Sequence, residues 1–273
     1  MDSTEARAWF ERWEAQQAGI IGVRDERFQV LLDVLGATFD VDESFVVVDL
    51  ASGPAGLSLR VLDRFPKARS VAVDFDPVLL AIGKGAHGER DGRLAWVEHD
   101  LRDPKWSQEV LASAGHNCVD AVLTATALHW IPTGALADVY RACGAILRPG
   151  GVLINCDNID YPPESTAVRR VADTVRAAER EGVTAGVSAR EFEGWEEWWA
   201  AVASSPSLGA LHQERERRFA WRDRDEYRPG FAVHRALLHD AGFAEVETVW
   251  QWFQNRVLVA VRSEAGPLTV THR

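Results

Sequence analysis

No stretch of this chain approaches the ~20 consecutive apolar residues that cross a bilayer, so no membrane-spanning role is expected. Positive charge is short too. Thirty Lys and Arg stand against 41 Asp and Glu, a formal net charge of −11. Proteins that grip nucleic acid present a basic face to the phosphates, so no nucleic-acid partner is expected. In "ERERRF" (214–219) and "WRDRDEYR" (221–228) acids alternate with the arginines, the pattern of a solvated helix face. Cysteine is scarce, and Cys118, Cys143 and Cys156 lack any CxxC spacing. No disulfide and no metal role is expected of them; the reading places all three reduced in the interior of a cytoplasmic protein. The N-terminal "MDSTEARAWFERWEAQQ" is acidic and amphipathic, without the basic start and apolar run of a signal peptide.

What is plentiful is tryptophan, eleven copies in 273 residues, which gather near both ends and in one internal segment. Trp9, Trp13, Trp195, Trp198, Trp199, Trp221, Trp250 and Trp252 either pack a core or wall a pocket for a planar or cationic ligand. A hydrophobic share of 47% with 26% charged residues suits one large α/β domain, or a core with a smaller cap.

The periodicity supports the second form. Helical spacing covers 2–18 and about 25–36, with Gly19 and Gly22 as the break between them. From residue 45 strands and helices alternate. Strands are expected at 45–50, 69–75, 93–99, 118–126 and 151–158, with helices at 56–65, 76–86, 105–113 and 133–147 between them. Asp76 and Pro77 supply an N-cap and a first-turn proline. Five such alternations require a parallel, doubly wound sheet, because parallel strands need crossover connections. Residues 160–228 break the rhythm and read as helical. A helix at 230–241 and two strands, 245–253 and 256–262, close the chain as a hairpin around Gln254 and Asn255. The expected organisation is an N-terminal helical cap (1–40), a Rossmann-like core (41–159 and 229–273) and a helical cap insertion (160–228).

In open α/β sheets ligands sit beyond the C-terminal strand ends, where the first strand–helix turn lets backbone approach them. Here that turn is "DLASGPAG" (49–56). It lacks the GxGxxG that holds a pyrophosphate at a helix N-terminus. An acid, Asp49, precedes it instead, which repels a pyrophosphate and suits a ligand carrying an ammonium or sulfonium charge. Asp74 ends the next strand, where a carboxylate accepts the hydroxyls of a ribose. Asp100 and Leu101 follow the third strand, where an adenine edge and face would lie. The three sites together point to a nucleoside bearing a cationic tail.

"VVDLASGPAG", "VAVDFDP", "EHDLRD", "DAVLTATALHW" and "LRPGGVL", in this order at these strand ends, resemble the motifs of class I S-adenosylmethionine-dependent methyltransferases of the small-molecule type. The resemblance covers roughly 45–158, and the closing helix and hairpin match as well. It implies a seven-stranded sheet whose last strand is antiparallel, with S-adenosylmethionine as cofactor and S-adenosylhomocysteine as product. Asp49, Ala51, Gly53 and Gly56 would hold the methionine part, Asp74 the ribose, with Phe75 beside it. Asp100 would meet the adenine amino group, Leu101 its ring, and backbone near Thr124 and Ala125 the amino-acid end. The family usually has Gly where this chain has Ala51 and Ala55. Alanine substitutes for glycine where φ stays negative, so a slightly tighter site is expected.

Methyl transfer needs alignment, exclusion of water and, for a protonated nucleophile, a base. No NPPY-type motif follows the fourth strand. His129 lies there, of a residue type that exchanges protons near neutral pH, and is the candidate base; packing against Trp130 is the competing reading. Trp13, Arg24, Trp130, Asp157 and Asn158 are candidate acceptor-binding residues, although Arg24 and its neighbours also suit ion pairs across helix turns. The expected acceptor is a small, flat, aromatic metabolite of specialised metabolism, an indole for example, methylated on O, N or activated carbon. Alternatives are a protein that binds the cofactor without methylating, a nucleotide-dependent oxidoreductase, and a tRNA or rRNA methyltransferase, the last disfavoured by charge. Many members dimerise, which leaves a homodimer open.

Overall fold

A computed structural model describes residues 1–21, 23–186, 193–221 and 229–264, the backbone alone over 179–186. Gly22 and all but the first residue of "WRDRDEYR" therefore lie outside the described residues.

Valine-rich runs form strands covered on both sides, as crossover helices require. Every residue of β1 (Val46–Leu50) is buried. With β2 (Arg69–Asp74), β3 (Leu94–Glu98), β4 (Val119–Ala125), β5 (Leu147–Asn158), β6 (Phe243–Trp252) and β7 (Asn255–Arg262) it builds one seven-stranded sheet of order β3-β2-β1-β4-β5-β7-β6. β1 pairs in parallel with β2 and β4, so the switch in strand order falls at β1. β7 runs antiparallel to both β5 and β6. The fold is the Rossmann-like α/β arrangement that the alternation implies, with the antiparallel last strand that the family resemblance implies.

Helices cover both faces. On one, α5 (Trp106–Ala114), α6 (Thr133–Ile146) and α10 (Phe231–Asp240) bury Trp106, Leu136, Tyr140 and Leu238 against the strands. The buried Tyr140 hydroxyl and His234 Nδ1, 2.7 Å apart, tie α6 to α10. On the other face, α2 (Arg24–Thr38) and α3 (Gly56–Arg64) pack Phe28, Leu31, Leu35 and Val61 onto Val47, Leu123 and Ile154. The expected N-terminal cap therefore divides. α2 is a layer of the core, because its apolar face has the sheet to cover. α1 (Ser3–Ile20) packs elsewhere, on α4 (Pro77–His87) and on α8 (Trp195–Ser204) of the insertion. Trp9, Trp13, Trp198 and Trp199 join Val78, Leu79 and Ile82 in that cluster. α7 (Thr166–Gly186) and α9 (Gly209–Arg218) are the insertion's other helices among the described residues.

Three details depart from the sequence reading. β5 begins at Leu147, not at 151, because Leu147 pairs with Val119 and a register shift before Ala121 accommodates the Pro-Gly-Gly that follows. The hairpin turns at Phe253 and Gln254, with Phe253 in the left-handed region at φ 49°. Cys118 is exposed just ahead of β4, while Cys143 and Cys156 are buried.

Candidate cofactor and active site

A cavity of about 1010 Å³ opens along the C-terminal ends of β1–β5, beneath α1 and the insertion. Single-ligand pockets run ~300–1,000 Å³, so this one lies at the upper end of that range.

Its floor is the turn after β1. Ser58, in the first turn of α3, donates its N–H (3.1 Å) and its hydroxyl (2.8 Å) to Asp49 Oδ2, and Ser70 Oγ lies 2.9 Å from that hydroxyl. Burial pushes the Asp49 pKa up to about 7; the Ser58 hydrogen bonds oppose the rise and the nearby charge of Asp74 adds to it. Asp74 accepts the N–H groups of Gly53 (2.6 Å), Phe75 and Asp76 (2.7 Å each), a fan of donors that shapes the loop. Burial, then repulsion from Asp76, lifts its pKa to about 6. Neither acid has a cationic partner among the described residues.

Ala51 and Ala55 correct the expectation made for them. Their φ values are 52° and 68°, beside Gly53 at 57°, so both sit in the left-handed region that favours glycine. Each such alanine costs roughly 1–2 kcal/mol. Backbone bonds from Ser52 N–H to Val73 O and from Ala55 N–H to Ser52 O, 3.0 Å each, hold the turn in that shape. Gly56 has its own requirement: a Cβ there would stand 2.5 Å from the Glu14 carboxylate, which α1 lays over the N-terminus of α3.

On the β2–β3 side, Phe75, Asp100 and Leu101 line the cavity. Asp100 takes a two-pronged pair from Arg102 (2.6 Å at the closest), and that guanidinium lies 3.6 Å from the Trp221 ring centroid. On the β4–β5 side, Ala125 lines the cavity while Thr124 is fully buried and does not.

His129, in a short 3₁₀ turn after β4, also lines it. Its Nδ1 stands 2.5 Å from Asp157 Oδ1, and its N–H donates to Asp157 Oδ2 at 3.0 Å. Asp157, expected to touch the acceptor, is instead the buried carboxylate behind the imidazole. Its side chain points into the sheet end, where β5 passes under the turn. Burial alone would raise the Asp157 pKa, but His129 and two backbone donors hold it below the usual carboxylate range. The pairing fixes the ring and leaves Nε2 as the nitrogen available to a substrate.

The remaining candidates divide. Trp13, Trp130 and Asn158 line the cavity, Trp130 with its ring centroid 4.9 Å from that of His129. Arg24 lines it too but is held by Glu14 at 2.7 Å. Trp198, a candidate wall, is fully buried and packs edge-on to Trp9, Trp13 and Trp199. "ERERRF" is not wholly solvated: Arg215 turns inward, pairs with Asp76 at 2.7 Å and stacks 3.7 Å from the Trp199 centroid. Sequence reasoning also missed Ser58, Thr126, Arg176 and Asn255. Only Ser58 carries a local signal, a small hydroxyl within the first turn after the glycines.

The buried acids fit the cofactor class. Two buried carboxyl groups without a cationic partner among the described residues suit a ligand carrying a sulfonium and an ammonium, and no lysine among the described residues lines the wall to compete. A family model described as a methyltransferase domain matches residues 47–151. Residues 47–151 form a class I S-adenosylmethionine-dependent methyltransferase domain. The chain is 32% identical over 143 residues to a trans-aconitate 2-methyltransferase of Azoarcus sp. (strain BH72), covering 52% of this chain and 49% of that protein. The chain thus matches about half the length of this curated relative. Among solved structures, the methyltransferase domain and its surroundings resemble a magnesium protoporphyrin IX methyltransferase from Synechocystis PCC 6803 with bound S-adenosylhomocysteine. That likeness has TM-score 0.55 and 16% identity, over 96% of this chain and 100% of that one. An O-methyltransferase family protein from Burkholderia thailandensis gives TM-score 0.52 and 18% identity, over 87% of this chain and 56% of that one. At these identities the structures bear on the fold alone. S-adenosylmethionine is the cofactor that this domain class takes.

Proposed function

We propose that the protein is a methyltransferase that moves the methyl group of S-adenosylmethionine to a small organic acceptor, with His129 as general base. The observation that carries the reading is His129, which lines the same cavity as Asp49 and Asp74 and is held from behind by the buried Asp157. The cofactor supplies an activated methyl on a sulfonium. The chain's residues do the rest. Asp49 attracts and seats the cation, Asp74 takes the ribose hydroxyls, α1 and the insertion exclude water, and Nε2 of His129 takes the acceptor's proton while Asp157 stabilises the imidazolium. The curated relative is named for trans-aconitate, which makes small O-nucleophilic acceptors the first to screen. Trp130 beside His129 suits a flat acceptor. The tryptophan count by itself gives no preference for an indole, because Trp9 and Trp198 are spent on packing between cap and core.

Calorimetric titration with S-adenosylhomocysteine tests the first half. The expected result is a Kd on the order of micromolar, weakened about tenfold or more by Asp74→Asn. An acceptor screen tests the second. His129→Gln should lower kcat by roughly 10²–10⁴-fold while leaving the affinity for S-adenosylhomocysteine intact. Retained turnover in that variant would remove the base from the mechanism.

A further inference from the structure

Among the described residues four arginines border the cavity: Arg24, Arg102, Arg176 and Arg215. Three are committed to protein carboxylates, Arg24 to Glu14 (2.7 Å), Arg102 to Asp100 (2.6 Å) and Arg215 to Asp76 (2.7 Å). Arg176, half-buried on α7, has no hydrogen-bond or ion-pair partner among the described residues.

The topology fixes where this guanidinium stands. Asp173, one helical turn before Arg176 and on the same face of α7, accepts from Gln254 Nε2 at 3.4 Å. Gln254 is in the β6–β7 turn, next to Asn255, and Asn255 is the register partner of Asn158 across β5 and β7. Both asparagines line the cavity, and Asn158 directly follows Asp157, which holds His129. Arg176, Asn158, Asn255 and His129 therefore share the end of the cavity on the β4–β5–β7 side. The nucleoside-side residues Asp74, Asp100 and Leu101 lie beyond β2 and β3, across β1.

An unpaired guanidinium, partly withdrawn from water at the acceptor end, is a receptor for a planar anion. Its fork matches a carboxylate with two parallel hydrogen bonds, and the two asparagine amides supply further donors. Resting on the methyltransferase reading above, we infer that the acceptor carries a carboxylate group that pairs with Arg176, with its reacting atom directed at His129.

The test uses the full chain loaded with S-adenosylhomocysteine, titrated with matched pairs: 4-hydroxybenzoate and 4-hydroxybenzamide, indole-3-acetate and indole-3-acetamide, fumarate and fumaramide. Binding of at least one acid with clear preference over its amide is expected. Arg176→Gln should weaken that acid roughly 30-fold, in Kd and in KM for any acid that is methylated, and abolish the preference for acid over amide. The Kd for S-adenosylhomocysteine should stay within about twofold, while Arg176→Lys recovers part of the acid affinity. The inference is overturned if amides bind as well as acids, if Arg176→Gln keeps the acid affinity, or if the loaded protein binds none of the acids. Failure of the wild type to bind S-adenosylhomocysteine would instead overturn the methyltransferase reading, and this inference with it.

Discussion

Asp49 shows how much a single buried acid ties ligand binding to pH. Burial raises its pKa from 3.8 to about 7, so the unfolded chain releases this proton near pH ~4 while the native state keeps it to about 7. Between those values the native state binds more protons, and its stability falls as pH rises. A cationic ligand favours the ionised form, so affinity for S-adenosylmethionine should climb over the upper part of the same window. Asp49→Asn removes the titration and keeps an acceptor for Ser58. Relative to wild type the variant should gain roughly 5 °C in Tm between about pH 5 and about pH 8. Its affinity for the cofactor should be lower and nearly flat with pH. Scanning calorimetry and titration over a pH series check both; parallel curves for the two proteins would contradict the linkage. Ala51 and Ala55 teach a different residue-scale lesson. The turn's shape is set by its hydrogen bonds and by the ligand space it frames, and two alanines accept left-handed backbone to keep it.

At the scale of elements, the junction between α9 and α4 decides whether the insertion stays on the core. Asp76 serves twice, capping α4 through the N–H groups of Val78 (2.9 Å) and Leu79 (3.3 Å) and pairing with Arg215. Burial raises its pKa even though Arg215 and the backbone donors pull it down, so the pair is an expensive one to leave half-made. Arg215→Met should cost about 3 kcal/mol, because it strands a buried carboxylate. Adding Asp76→Asn should return most of that loss, since asparagine still caps the helix and leaves no charge unpaired. Urea unfolding of the two single variants and the double variant measures the coupling. Additive losses would show that the ion pair does not hold α9 in place.

For the whole molecule, the cavity exists only between two bodies of the chain: the strand ends on one side, α1 with the insertion on the other. A ligand that fills it must therefore stabilise both together. At 100 times its Kd, S-adenosylhomocysteine adds about 2.7 kcal/mol, or roughly 5–10 °C in Tm for a chain of this size. Hydrogen exchange should slow in α1, α8 and α9, which close the cavity, and change least in β6 at the sheet edge. Slowing confined to the turn after β1 would mean that the cap does not respond to the ligand.

The alternation of valine-rich runs and helical spacing determined the sheet, because strands buried on both faces leave no other pattern for the chain to follow. The order of acids at the strand ends likewise made one side of the candidate site legible: Asp49, Asp74 and Asp100 each sit on a local motif that a few neighbouring residues define, and all three line the cavity. The acceptor side was not legible in this way. Asp157 reads as a strand-end acid for the acceptor, yet the packing of the 3₁₀ turn on β5 makes it the partner of His129. Arg215 reads as solvated among alternating acids, yet the docking of α9 buries it. Arg176 and Asn255 line one cavity because α7 reaches the β6–β7 turn, where Gln254 donates to Asp173. Such contacts join residues far apart in sequence, and only tertiary packing brings them within reach of one another.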